Sequence, residues 1–416
     1  MRILWLAPWP HPLEAAAHPV PWVSALAHLL RQQPSVALTI LHWTSKISNE
    51  IEEFERDGIR FIYLKAPSVR VDILTLYQRR IALMKAYLKR HYQHYDLLHL
   101  HGSELQVPAM TARLPVPQLL SVQGLVSQYP PFVPGSERWL KVLWTLAGHY
   151  ERRHLPAVRH FVCRTHWDQA LVRQLSPGCT VHHNWEVIRT AFFRPSSPLA
   201  AQRLQVVFLG GTQVMKGFRE VLAAVDLLRQ DLAVTLVIAG RASPEAVQAA
   251  VQAAGLQHLG PAAVECRGQL PADELAQLFS ESLCLLHPSY VDNSPNSVCE
   301  AQVAGLPVVA ADVGGVRSLV EDEVTGLLCT LEPASVARQA RRLLDDPALR
   351  QRLAAPEGEL AFDGETRHVW LTPGIGVARA DGQFDVVWRA RRPVRPDPYL
   401  AWSRFETNWL DEGMAA

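Results

Sequence analysis

Long apolar runs are missing from this chain. None reaches about 18 residues, the length a helix needs to cross a bilayer, so no membrane-spanning helix is expected. An excess of one charge is missing too. Lys and Arg number 41 against 40 Asp and Glu, a formal balance of +1, which excludes a chain-wide nucleic-acid coat and a disordered acidic tail. Closely spaced cysteine pairs are absent. Cys163, Cys179, Cys266, Cys284, Cys299 and Cys329 form no C-x-x-C pair and mostly sit in apolar runs. They read as reduced, buried thiols of a cytoplasmic protein, not as a disulfide frame or a zinc site. The opening M-R-I-L-W-L-A-P-W-P is too short an apolar run for a secretory leader and is broken by Pro8 and Pro10, so a first strand is expected there.

Apolar chain itself is plentiful. At about 150 residues per domain, 416 residues of which 48% are hydrophobic suggest two cores. The near-neutral balance hides an asymmetry. Residues 1–200 hold 22 Lys/Arg against 13 Asp/Glu, a net +9, and the remainder holds 19 against 27, a net −8. Fourteen of the 17 His also lie in the first half. That half suits an anionic partner.

Short apolar runs alternate with longer amphipathic ones. Strands are expected at 3–7, 36–41, 59–64, 97–101, 118–122 and 160–163, with helices at 21–31, 72–90, 136–153 and 166–175. Such alternation predicts a largely parallel sheet covered on both faces. Pro195, Pro198 and two serines then mark a linker. The alternation restarts with strands at 204–209, 233–239, 283–286 and 307–310 and helices at 217–230, 244–254, 272–280, 297–304 and 333–344. The predicted fold class is α/β, with two tandem Rossmann-like doubly wound domains at 1–198 and 199–355 facing a cleft. Residues 356–416 form an atypical tail. There F-D-G-E-T, H-V-W-L-T and the run around Asp381-Gly382 suggest short antiparallel strands, and 399–410 a last amphipathic helix. The tail is either a genuine addition or a foreign terminus from a rearranged gene.

Two stretches carry chemistry. In V-V-F-L-G-G-T-Q-V-M-K-G-F a strand ends at Gly210-Gly211 and a helix starts near Gly217. Glycines there let backbone N–H groups approach an anion, and Lys216 can neutralise a phosphate. A strand–Gly–Gly turn is also often only a tight turn. In H-P-S-Y-V-D-N-S-P-N-S-V-C-E-A-Q-V-A-G-L-P-V-V-A a strand runs through a polar loop to a helix starting at Asn296 and Ser297. Asp292 in the loop and Glu300 on the helix can accept hydrogen bonds from sugar hydroxyls, and the helix start can hold a diphosphate. The plainer reading makes Asp292 and Asn296 turn and cap residues and Ser297 only a first-turn residue. Glu300, flanked by Cys299 and Ala301, needs a partner.

This second stretch resembles the signature of glycosyltransferase family 4, retaining enzymes of the GT-B fold. Their usual pattern is P-S, a Glu, seven residues, a second Glu, then A-x-A-x-G-x-P-V-V-A. Here stand His287-Pro288-Ser289, Asp292, seven residues, Glu300, Gly305, Pro307 and Val308, followed by Gly314, Gly315 and Gly326. The resemblance is strong over 204–350 and looser before. It implies that Glu300 holds the nucleotide ribose, that Asp292, shorter than the family's Glu, meets the donor hexose, and that Lys216 binds the diphosphate. The implied donor site is Gly210, Gly211, Thr212, Lys216, Asp292, Asn296, Ser297, Val298 and Glu300, and Asp292, Glu300 and Lys216 are the implied catalytic set. It further implies retention of configuration, no metal and no cofactor, the nucleotide-diphosphate sugar being a donor substrate. The family's Arg after the first Gly is replaced by Gly211, with Arg164 or Arg189 as substitutes.

In the first half the family's Gly-rich first loop reads P-W-P-H-P-L-E-A-A-A-H-P-V-P-W, without glycine. Gln123 stands where many relatives have a His, and a neutral amide is no general base. His101 and Glu104 lie at a strand's C-terminal end, where α/β proteins bind ligands. A structural role is the plainer reading of that His. Arg164, Glu186 and Arg189 are placed at the interdomain cleft, either as ligand contacts or as an ion network. Residues 77–92 and 136–146 interleave basic and aromatic residues at helical spacing. They suit peripheral contact with an anionic membrane at its inner face, although a helix with a basic outer face is the plainer reading.

The expected protein is a hexosyltransferase using a nucleotide-sugar donor and a saccharide or lipid-linked acceptor, in cell-surface polysaccharide or lipopolysaccharide biosynthesis. No nucleic acid is expected as a partner. Gly211, Gln123 and the glycine-free loop keep open the alternative of a catalytically inactive binding or assembly protein. An epimerase would need more carboxylates and His in the cleft than can be placed.

Overall fold

The computed structural model describes residues 1–14, 20–185, 187–193 and 204–354, together with the backbone of four short strands beyond them. The first unit runs β1 (Arg2–Leu6), α1 (Pro21–Leu30), β2 (Ala37–Thr44), β3 (Ile51–Arg56), β4 (Ile59–Lys65), α2 (Val69–Leu74), α3 (Gln78–His91) and β5 (Leu97–His101). It continues α4 (Val107–Thr111), β6 (Gln118–Ser121), α5 (Arg138–His154), β7 (His160–Cys163), α6 (His166–Leu175) and β8 (Thr180–His183). Its eight strands are ordered β3-β4-β2-β1-β5-β6-β7-β8. All neighbours are parallel except the β3–β4 pair.

The second unit runs β9 (Gln205–Phe208), α7 (Phe218–Leu228), β10 (Thr235–Ala239), α8 (Pro244–Ala253), β11 (Val264–Gly268), α9 (Ala272–Ser280) and β12 (Cys284–His287). It continues α10 (Asn296–Val303), β13 (Val308–Ala311), β14 (Leu327–Cys329), α11 (Pro333–Asp345) and α12 (Pro347–Ala354). Its sheet, β11-β10-β9-β12-β13-β14, is parallel throughout.

Helices on both faces explain the strands' continuous apolar runs. In β1, Leu4 and Leu6 enter one core while Ile3 and Trp5 enter the other. In β9, Val206 and Phe208 face one side and Val207 the opposite side. This is the period of two expected of a strand buried on both faces.

The structure refines the predicted elements. The helix expected over 72–90 is two helices, because Leu76 and Tyr77 take positive φ values of 50° and 64°. The reversal lets Arg80 reach Asp72 at 2.7 Å and is anchored by the Tyr150 hydroxyl donating to the Leu76 carbonyl at 2.6 Å. β3 was not anticipated. Its Glu52, Glu53 and Glu55 mark a charged edge strand, a pattern that discourages pairing with other chains. Ile188 and Phe192 already pack into the second core, so its packing begins ahead of residue 198. The linker residues 194–203 lie outside the described residues.

In the tail, β15 (Ala361–Phe362) pairs antiparallel with β16 (Val369–Trp370), and β17 (Gly374–Ala378) with β18 (Phe384–Arg389). Antiparallel strands were expected there. The helix expected at 399–410 lies outside the described residues. Among the described residues the six cysteines form no disulfide with one another. Burial pushes the thiols of Cys284 and Cys329 up to about 12. No helix among the described residues is long and apolar enough to cross a membrane.

Candidate active site in the interdomain cleft

In each sheet the chain leaves the central strand to one side and then returns to the other, β1 between β2 and β5, β9 between β10 and β12. Open parallel sheets bind ligands at this switch point, beyond the strands' C-terminal ends. Both switch points open onto one cavity of about 580 Å³. From the first unit come Pro21 and Trp22 at the start of α1, Glu104 after β5, Gln123 after β6 and Arg164 after β7. From the second come Gly210 after β9, Arg241 after β10, His287 ending β12, and Asn296, Ser297 and Glu300 on α10.

Two acid–base pairs organise the second unit's side of the cavity. The Lys216 ammonium donates to Asp292 Oδ2 at 2.6 Å, and His287 Nε2 lies 3.2 Å from the same oxygen. Burial pushes the Asp292 carboxyl up, but Lys216 and His287 outweigh it and hold it well below the usual carboxylate range. The loop geometry depends on Gly217, whose φ is 83° and whose missing Cβ would stand 2.0 Å from the Pro288 carbonyl oxygen. Only glycine lets the Lys216 turn press against the 288–292 loop.

The second pair is Arg189 with Glu300. Arg189 donates from Nε and Nη2 to the two Glu300 oxygens at 2.8 and 2.9 Å. Burial raises the Glu300 carboxyl's affinity for its proton, and the guanidinium opposes it. The partner that the sequence demanded for Glu300 is thus Arg189. α10 starts at the cavity wall, and the N–H groups of Asn296 and Ser297 carry no hydrogen bond among the described residues. They remain available to an anion there, where the helix dipole favours negative charge.

Three expected donor residues fall elsewhere. The Gly211 N–H donates to the Ala239 carbonyl and the Thr212 N–H to the Arg241 carbonyl, both at 3.1 Å. These N–H groups clamp the β9 and β10 turns together and do not face the cavity. Val298 is fully buried in the core and its N–H donates to Pro295. Gly211 sits at φ 54° with its missing Cβ 2.6 Å from the Arg241 carbonyl oxygen. A side chain cannot stand there, which accounts for the absent Arg. Arg241, which sequence reasoning missed, instead lines the cavity from the neighbouring turn. Its signal was the A-G-R that ends a buried strand at the binding edge. His287 and Gln213, also on the wall, were missed as site residues.

On the first unit's side His101, expected at the cleft, falls elsewhere as well. The residue is 4% exposed, its ring centroid lies 4.2 Å from that of Trp5 and 4.1 Å from that of His99, and it does not line the cavity. Burial holds both imidazoles below the ordinary histidine range, His99 at about 4. Glu104 and Gln123 do line it. Arg164 donates to Gln123 Oε1 at 3.0 Å, so the two act as a unit. Burial pushes the Glu104 carboxyl up to about 7, with Glu151 adding to the effect. Glu186 lies outside the described residues.

Asn293, unforeseen, joins the units. It is buried, accepts from Thr165 Oγ1 at 2.7 Å, and donates to Asp168 at 2.9 Å. Thr165 and Asp168 also form the capping box of α6. The cap of α6 is therefore one of the contacts that tie the two units together beside the cleft, along with the His166 N–H donating to Ser318 Oγ.

Two doubly wound units meeting at their switch points define a protein of the GT-B fold. Residues 190–356 match the family model of glycosyl transferases group 1, which agrees with the sequence resemblance at that coarser level. Residues 333–404 match that of a periplasmic binding protein domain. A D-inositol 3-phosphate glycosyltransferase of Streptomyces avermitilis is 34% identical over 182 residues, 39% of this chain and 38% of that protein. One of Streptomyces bingchenggensis is 27% identical over 297 residues, 63% and 62% of the two chains. The chain thus spans between 38% and 62% of these relatives' length.

Solved structures share the fold. Sucrose-phosphate synthase from Thermosynechococcus elongatus superposes with a TM-score of 0.64 at 19% identity, covering 85% of this chain and 92% of that one. WaaG, a glycosyltransferase involved in lipopolysaccharide biosynthesis, gives 0.62 at 14%, covering 85% and 93%. Anabaena Alr3699/HepE in complex with UDP-glucose gives 0.57 at 16%, covering 86% and 95%.

Proposed function

We propose that the protein is a retaining glycosyltransferase of family 4. It transfers a hexosyl group from a nucleoside-diphosphate sugar to a hydroxyl of a saccharide or lipid-linked acceptor. The observation that carries this reading is the convergence of Lys216, Arg241 and the start of α10 on one wall, beside Asp292 and Glu300. Cations and free N–H groups stabilise a departing diphosphate, whereas two fixed carboxylates orient sugar hydroxyls.

In the reaction the bond from the anomeric carbon to the diphosphate oxygen breaks as the bond to the acceptor oxygen forms on the same face. The acceptor proton passes to the departing diphosphate. Lys216, Arg241, Asn296 and Ser297 balance the growing negative charge without a metal. Glu300 positions the ribose and Asp292 the hexose. The bound HepE complex supports a uridine nucleotide as first candidate. The WaaG likeness supports a place in lipopolysaccharide or surface-polysaccharide assembly, at the inner membrane face.

Calorimetry across a panel of nucleotide sugars tests this. One donor is expected to bind in the micromolar range, and Glu300→Ala to weaken it at least tenfold. No binding by any donor, or no effect of the substitution, rejects the reading. Tight donor binding without transfer to any acceptor extract would favour the non-catalytic alternative.

A further inference from the structure

A second cavity, of about 320 Å³, adjoins the cleft at Glu104, the one residue among those described that lines both. α5 lines it through Leu140, Leu143, Trp144 and Ala147, and Tyr77 and Tyr129 line it too. The first half of α5 is unusual for a helix of a folded domain. None of its residues from Arg138 to Leu146 is buried. Trp139 and Val142 are 63% and 56% exposed, although four further large apolar side chains accompany them on the same two turns. Exposed apolar surface of this density marks a binding face.

The cavity's charges decide what can enter. Arg80, at its wall, is spoken for: it donates to Asp72 at 2.7 Å, to the Leu105 carbonyl at 3.0 Å and to Gln106 Oε1 at 2.6 Å. It offers no cation to an anionic ligand. Glu151, packed behind, is saturated by Ser103 Oγ and the N–H groups of Val126 and Ser127. Glu104 differs. Its carboxyl rests on the bare faces of Gly102 and Gly124, where a Cβ would stand 2.2 and 2.9 Å from its oxygens. Beside Arg80 and Gln106, which bond to each other, it is the charged group of a chamber walled otherwise by aliphatic and aromatic residues, and it also lines the donor cleft.

We infer that this second cavity is the acceptor subsite and that it takes an amphiphile, a hydroxylated head group bonded directly to an acyl, prenyl or aryl chain. The head hydroxyl donates to Glu104 beside the donor, and the chain runs outward along Leu140, Leu143 and Trp144. A wholly polar saccharide would leave these walls uncovered, and an anionic group finds no unpaired cation there. This rests on the glycosyltransferase reading and narrows its acceptor class.

The test compares octyl β-D-glucoside, below its micelle concentration, with methyl β-D-glucoside by saturation-transfer NMR titration in the presence of UDP. The head group is arbitrary and the ratio of affinities is the readout. The octyl compound is expected to bind at least tenfold tighter, the gain from burying roughly two methylene groups. Leu143→Glu and Leu140→Gln should each abolish the preference while leaving UDP affinity within twofold, with circular dichroism confirming the fold. Equal binding of the two glucosides, or a preference that survives both substitutions, overturns the assignment. Failure of UDP to bind while the octyl preference persists overturns the donor reading instead.

Discussion

Arg189 and Glu300 are 111 residues apart and meet through two parallel hydrogen bonds of 2.8 and 2.9 Å. The guanidinium comes from the segment leading into the second unit, and the carboxylate from the middle of α10. The Glu300 side chain is 4% exposed and the Arg189 side chain 22%. Both Glu300 oxygens accept from Arg189 along one edge of the carboxylate, so a ribose can meet only the remaining lone pairs.

Breaking this pair on one side should cost more than removing it whole. Arg189→Met leaves a buried carboxylate uncompensated and is expected to destabilise the protein by about 3 kcal/mol. The double substitution Arg189→Met with Glu300→Gln should recover at least half of that loss. Urea unfolding of the three variants measures the cycle, and strictly additive losses would contradict the argument.

Arg241 is expected to bind the diphosphate in place of the Arg that Gly211 excludes. Arg241→Ala should weaken UDP binding by about 1.5–3 kcal/mol, the worth of charge-assisted hydrogen bonds, and leave uridine binding unchanged. Restoring the family's residue should not rescue it. Gly211→Arg forces a side chain into the Arg241 backbone and should lower the melting temperature. Equal losses for UDP and uridine, read by calorimetry, would remove Arg241 from the phosphate site.

The Glu104 carboxyl predicts a pH signature. Its folded value, about 7, lies above the unfolded value of 4.5. Between these values the unfolded chain has released its proton and the folded chain retains it. Stability therefore falls as pH rises from about 4.5 to 7 and stays lower above. Glu104→Gln removes that loss. It should stabilise the protein by about 2 kcal/mol at pH 8, less than the full shift implies because part of the residue reaches solvent, and by nearly nothing at pH 4. Thermal melts at the two pH values check this, and an equal effect at both would refute it.

Much of the fold was legible because parallel strands buried on both faces are nearly continuous apolar runs. Leu97–His101 and His160–Cys163 were located to the residue. The strands that escaped, β3, β8, β11 and β14, are the edge strands of the two sheets; β3, β8 and β11 carry exposed or half-buried polar residues where burial imposes no pattern, and β14 is a run of only three residues. Glu300 was legible because an acid among apolar neighbours must have a partner. Which partner was not, since nothing local to Arg189 distinguishes it from other arginines near the domain boundary.

By itself, then, the sequence determined the two α/β units, the glycine-bearing turns and the 287–300 loop and helix, because hydrophobic period and turn chemistry are local properties. Tertiary structure alone decided which charges face each other. It spent the Gly211 and Thr212 N–H groups on a turn-to-turn clamp, brought Arg241 to the wall, buried His101 against Trp5, and joined Asn293 to the α6 cap of the other unit. Each of these depends on distances between segments far apart in the chain, which residue spacing does not encode.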